Sequence, residues 1–80
     1  MMNNYYIQIS NQTLTRKSKR DDFTHALIGR KWDFCNERFD SNFKIITLRT
    51  SKAKALKELE SYDPSLLADS QVVQLKSNNQ

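Results

Sequence analysis

The sequence predicts an α+β domain: a mainly antiparallel sheet of about four strands with one amphipathic helix packed on one face. Three observations lead there. Short stretches with apolar residues at every second position recur along the chain, the signature of strands with one buried face. A single stretch, 52–62, switches to spacings of three and four, with hydroxyl residues before it and Asp-Pro after it. The 80 residues hold one glycine and one proline, and no linker, repeat or low-complexity tract divides them. Residues 1–76 therefore read as one compact domain and 77–80 as a disordered tail.

Taken in order, Tyr5, Ile7 and Ile9 alternate with Tyr6, Gln8 and Ser10, a strand with one buried face. Ser10-Asn11-Gln12 reads as a turn or bulge, and Thr13–Arg16 as continuing extended chain. The charged run Lys17–Asp22 links this segment to a second strand, Phe23–Ile28, rich in β-branched and aromatic residues. Six residues between two strands fit a hairpin with an exposed tip. Gly29 follows, suited to a positive φ or a bend. Arg30–Asn42 has no clean period and reads as a loop, with room for a short strand at Lys31–Cys35. Phe43–Arg49 is the clearest strand.

Thr50 or Ser51 can cap the following helix through a side-chain oxygen that accepts a backbone N–H. Ala55, Leu56, Leu59 and Tyr62 make its packing stripe, and the pairs Lys54/Glu58 and Lys57/Glu60 suit its wet face. Asp63-Pro64 ends it, because the residue before proline disfavours the α region. Ser65–Asp69 fits a short helical turn. Gln71–Lys76 is the last strand, with Val73 and Leu75 on one face.

Composition excludes several function classes. Hydrophobic residues make up 38% and charged residues 28%, too apolar for a disordered chain and too polar for a membrane channel. No apolar run approaches the roughly 20 residues of a spanning helix. The N-terminus lacks the basic and apolar regions of a signal peptide, and a lone cysteine, Cys35, fits a reducing cytoplasm. Net charge is +4. Residues 1–54 carry eleven Lys/Arg against five Asp/Glu, whereas residues 55–80 carry two against four. A basic front and a mildly acidic rear suit an anionic partner, either nucleic acid or an acidic protein groove.

The residues that could carry chemistry are few. His25 has no neighbouring ligand and reads as a strand histidine hydrogen-bonded beside it. Cys35 next to Phe34 reads as a small hydrophobe, and a nucleophile–base pair with His25 lacks an orienting third group. Asp21-Asp22 reads as a charge-balanced turn. One glycine cannot build a phosphate loop, and no spacing of His, Cys and carboxylates fits a metal site. No catalytic residue, cofactor or metal is expected. The strongest feature is Arg16-Lys17-Ser18-Lys19-Arg20, four positive charges in five residues, which could contact phosphates from a hairpin tip or stand as a solvated loop. Arg30, Lys31 and Trp32 form a second basic group. An exposed Trp32 would be a stacking platform or a protein hot spot; a buried one would be core.

The segment Arg16-Lys17-Ser18-x-Arg20-x-x-Phe23-Thr24-His25-Ala26 resembles a segment of small phage and prophage proteins, in which a basic turn leads into an aromatic-Thr-His-Ala strand. In size and build the chain is similar to anti-CRISPR proteins and other phage counter-defence factors. That resemblance implies a small, cytoplasmic, non-enzymatic inhibitor that occludes a site on a host protein or ribonucleoprotein complex. The alternative is a basic nucleic-acid-binding module using Arg16, Lys17, Lys19, Arg20, Arg30 and Lys31. Edge strands of a small sheet also allow homodimerisation.

Overall fold

The computed structural model describes residues 2–9 and 11–78, with Asn78 described by its backbone alone. It is an α+β fold with one α-helix and antiparallel strand pairing throughout. The strands are β1 (Asn3–Ile9), β2 (Gln12–Ser18), β3 (His25–Asp33), β4 (Arg38–Phe39), β5 (Lys44–Arg49), β6 (Leu67–Gln74) and β7 (Lys76–Asn78). The helix α1 spans Lys52–Ser61, and a 3₁₀ turn covers Pro64–Leu66. In place of one sheet of about four strands there are two sheets, β2-β1-β7 and a second built on β3. β3 pairs with β5 and β6, and β4 folds back on its last two residues.

The reason for two sheets lies in β3 and in the last strand. Ala26, Leu27, Ile28 and Gly29 are all buried, so this strand is covered on both faces and shows no alternation. On one side Ala26, Ile28, Ile45 and Leu48 meet Tyr5, Ile7 and Leu14 of the first sheet, with Phe23, Phe43, Val73 and Leu75 packed around them. On the other side lies α1, whose Ala55 is fully buried. The last extended segment serves both sheets, β6 beside β3 and β7 beside β1. After β6 the Leu75 N–H donates to the Thr24 carbonyl at 2.8 Å, and the chain passes directly into β7 beside β1.

Two irregularities aim side chains. Ile45 pairs with Ile28 while Thr47 pairs with Leu27, leaving Ile46 as an extra residue. This bulge lets Ile45 and Leu48 both face the core despite their spacing. A second bulge opposite Gly29 contains Asp69 at φ 53°, a left-handed conformation that aspartate tolerates better than most residues. Gly29 itself has no positive φ. Its hydrogen makes room for Leu67, because a Cβ there would lie 2.7 Å from Leu67 Cγ and Cδ1.

Several boundaries and partners differ from expectation. The link Lys17–Asp22 is not a hairpin tip: β2 pairs with β1 over its whole length, and β3 pairs elsewhere. Arg30–Asn42 is not a loop with a short strand, since β3 runs on to Asp33 and forms a tight hairpin with β4. The second strand starts at His25, two residues later than expected. Leu56 is 39% exposed and lies off the helix's packing stripe. Glu58 accepts from Arg49 at 2.6 Å, and the Lys54 ammonium donates to Thr50, so the expected Lys54/Glu58 pair is absent. Ser51 is the N-cap, accepting from the Lys54 N–H. Ser77 and Asn78 pair with β1 where a tail was expected to begin; Asn79 and Gln80 lie outside the described residues, as does Ser10 of the first expected strand. No helix among the described residues is long and apolar enough to cross a membrane.

Candidate functional site

The basic residues singled out from the sequence fall into two groups. Three arginines are spent on holding the fold. Alternation along β2 turns Arg16 toward the inner side, where its guanidinium donates to the Ile45 carbonyl at 2.7 Å. Arg20 grips Asp22 with two bonds of 3.0 and 2.7 Å and lies 5.0 Å over the Phe23 ring. That ion pair raises the Arg20 pKa and lowers that of Asp22. Arg30 bridges to Asp69 at 2.8 Å and fastens the β6 bulge. Lys17, Lys19 and Lys31 are exposed, and their side chains have no hydrogen bond or ion pair among the described residues. The sequence cluster is therefore half internal brace and half free charge.

The β2–β5 seam shows why Arg16 is needed. β2 and β5 share no backbone ladder, yet their edges meet. The Gln12 amide donates to the Phe43 carbonyl at 2.8 Å and accepts its N–H at 3.0 Å. A side-chain amide thus takes the place of a strand neighbour, and Arg16 adds the next rung at Ile45. These bonds satisfy an edge that would otherwise offer itself to another chain.

Two surfaces remain available for a partner. The first is the β3–β4 hairpin. Its turn, Phe34–Glu37, is held by the Asp33 carboxylate, which accepts from the Asn36 side-chain amide at 2.7 Å and from the Cys35 N–H at 2.9 Å. These bonds, the one from the Asn36 side chain first, hold the Asp33 carboxyl below its usual range. Trp32 is half-buried, packed edge-to-face on Phe39 at 5.0 Å, and stiffens the base of the hairpin. It belongs neither to the core cluster nor to the open surface. Phe34, at the turn, is 74% exposed. Cys35 beside it is exposed as well, which corrects its reading as a packed hydrophobe. The turn was legible in principle, because Asp33 and Asn36 are both residues that bond a nearby backbone.

The second surface is the outer face of the β2-β1-β7 sheet. Tyr6 stands at its centre, with Thr15 opposite it on β2 and Lys76 opposite it on β7. Lys17 lies opposite Asn4, and Gln8 and Thr13 extend the face. These β1 and β2 residues line a shallow groove of about 430 Å³.

His25 and Cys35 do not meet. His25 begins β3 and Cys35 lies in the turn beyond its far end, with a strand of roughly 26 Å between them at about 3.3 Å per residue, and His25 Nδ1 is 2.8 Å from the Thr24 hydroxyl. Asp40 and Asp63 also have lowered pKa values. The Asn42 N–H and then Lys44 lower the first, and the Ser65 hydroxyl and N–H the second. Among the described residues no group of three or more His, Cys, Asp or Glu could hold a metal ion.

Compared with protein-family models, with curated proteins and with solved structures, the chain matches none of them.

Proposed function

We propose that this chain is a small, non-enzymatic binding protein that docks through the β3–β4 hairpin and occludes a site on a larger complex. The observation that carries this reading is Phe34, a large aromatic side chain left 74% exposed on a turn that Asp33 braces. Ordering a loop on binding costs free energy, and a turn already ordered avoids that cost. An aromatic anchor on such a turn fits an apolar pocket of a protein partner. Exposed Lys31 and Arg38 lie near the anchor, with exposed Glu37 in the turn itself, so the complementary pocket has a polar rim of both charge signs.

Asp22, Asp33, Asp40 and Asp63 are not tuned as general acids. Each is held below the ordinary carboxylate range by surface hydrogen bonds, whereas a general acid near neutral pH needs the opposite shift. Small size and the resemblance to phage counter-defence factors make a bacterial immune complex the proposed target, and the host cytoplasm the proposed compartment.

The test is expression of the chain in bacteria with active CRISPR immunity, with plating of a targeted phage as the readout. Restored plating that is lost in Phe34→Asp, with the variant folded by circular dichroism, supports the reading. Restored plating that survives Phe34→Asp removes the hairpin from the mechanism. Unchanged immunity across the system types tested ends the immune-complex proposal.

A further inference from the structure

The outer face of the β2-β1-β7 sheet has a chemistry that the hairpin reading leaves unused. We propose that it binds single-stranded RNA, with one base stacked on Tyr6 and phosphates held by Lys17 and Lys76.

In an antiparallel pair, residues directly opposite one another project from the same face. Tyr5 and Ile7 are buried in the core, so their strand neighbours Asn4, Tyr6 and Gln8 project outward. The pairings Tyr6↔Lys76 and Asn4↔Lys17 bring both lysines onto that face. Lys17 lies one strand over from Tyr6 and one pair along, and Lys76 one strand over on the other side. Positive charge therefore flanks the ring on both sides. Lys19, just beyond the end of β2, is a third exposed cation nearby.

Charge sign separates this face from the rest of the surface. Its described side chains include lysines and no carboxylate, although the chain has nine Asp and Glu. Arg20, Arg30, Lys44 and Arg49 each have a carboxylate partner; Lys17 and Lys76, like Lys31, Lys52 and Lys57, have none among the described residues, and what sets this face apart is that it carries no acid of its own. A polyanion can meet these two lysines without displacing an internal partner.

The remaining groups select the kind of polyanion. A base stacks on a tyrosine ring only where it is free of its duplex neighbours, so an aromatic residue on an open sheet suits a single strand. Asn4, Gln8, Thr13 and Thr15 supply uncharged groups able to donate and to accept. The 2′-hydroxyl of RNA is the matching donor and acceptor, and DNA lacks it. The face is independent of the hairpin, since Phe34 lies in the turn between β3 and β4 of the other sheet.

Fluorescence anisotropy with a short fluorescein-labelled oligouridine tests the proposal, with the oligodeoxyuridine of equal length and a duplex RNA alongside. The expected result is binding of oligouridine in preference to both. The logarithm of affinity should fall with the logarithm of salt with a slope of about −1.4 to −2, at about −0.7 per phosphate contact for two to three lysines. Tyr6→Ala should weaken binding about tenfold or more, and Tyr6→Phe should restore it, because the ring and not the hydroxyl stacks. Lys17→Glu and Lys76→Glu should each weaken binding and flatten the salt slope, whereas Arg30→Gln should leave that slope unchanged. Amide shifts on titration should concentrate in β1, β2 and β7, which reads the surface without any substitution. Equal binding of duplex, oligodeoxyuridine and oligouridine would overturn the proposal. So would an unaltered affinity in folded Tyr6→Ala, or amide shifts confined to residues 34–37.

Discussion

The seam between the two sheets rests on Gln12, and removing its amide should open the fold at that edge. Gln12→Ala takes away both bonds to the Phe43 backbone, 2.8 and 3.0 Å long and partly shielded from water. A net contribution of about 0.5–1.5 kcal/mol per bond gives a loss of about 1–3 kcal/mol. A domain of this size has about 4–12 kcal/mol in total, so the loss is a large share of its stability. At about 4–8 °C per kcal/mol, the melting temperature should fall by about 4–24 °C. Thermal and urea unfolding followed by circular dichroism measures it, with exposed Thr13→Ala as the control. Gln12→Glu sharpens the test. Its carboxylate can still accept the Phe43 N–H but repels the Phe43 carbonyl, so this variant loses one of the two bonds and gains a repulsion in its place. At neutral pH it should be less stable than the parent in the same assay. A Gln12→Ala protein within about 0.5 kcal/mol of the parent, the spread of ordinary surface substitutions, would refute the account of the seam.

Gly29→Ala forces a methyl group to within 2.7 Å of buried Leu67 and should cost about 1–3 kcal/mol by urea unfolding. Combining it with Leu67→Ala should cost less than the two single changes summed. Tyr5→Phe removes the bond of 2.6 Å from the buried phenol to the Arg20 carbonyl and should cost about 1–2 kcal/mol in the same assay. In acid, the lowered pKa values of Asp22, Asp33, Asp40 and Asp63 fix the sign of the response. Their contribution is complete above the unfolded-state carboxyl pKa and is lost as pH falls through the folded values. Melting temperature should hold steady down to about pH 5 and drop below about pH 4, with a shallower drop in Asp33→Asn.

Local patterns determined much of this protein. The alternation of Tyr5 and Ile7 with Tyr6 and Gln8 marked a strand with an inner and an outer face. Ser51 and the Asp63-Pro64 step bounded the helix to within a residue, because caps and proline act on neighbouring backbone. Phe43–Arg49 was legible as a strand for the same local reason, as was the hydrogen bond between Thr24 and His25. What the tertiary structure alone decided was partnership. Nothing local distinguishes β2 pairing with β1 from β2 pairing with β3. Loop-closure entropy changes slowly with length, so six linking residues do not select a hairpin. Continuous burial of Ala26–Gly29 erased the alternation that would have marked the strand's far end. Arg16 and Lys17 are adjacent cations in the sequence, yet strand geometry sends one inward to brace Ile45 and the other outward to solvent. The core partner of each strand and the task of each charge depend on residues that folding alone brings together, such as Gln12 and Phe43, separated by 31 positions in the chain.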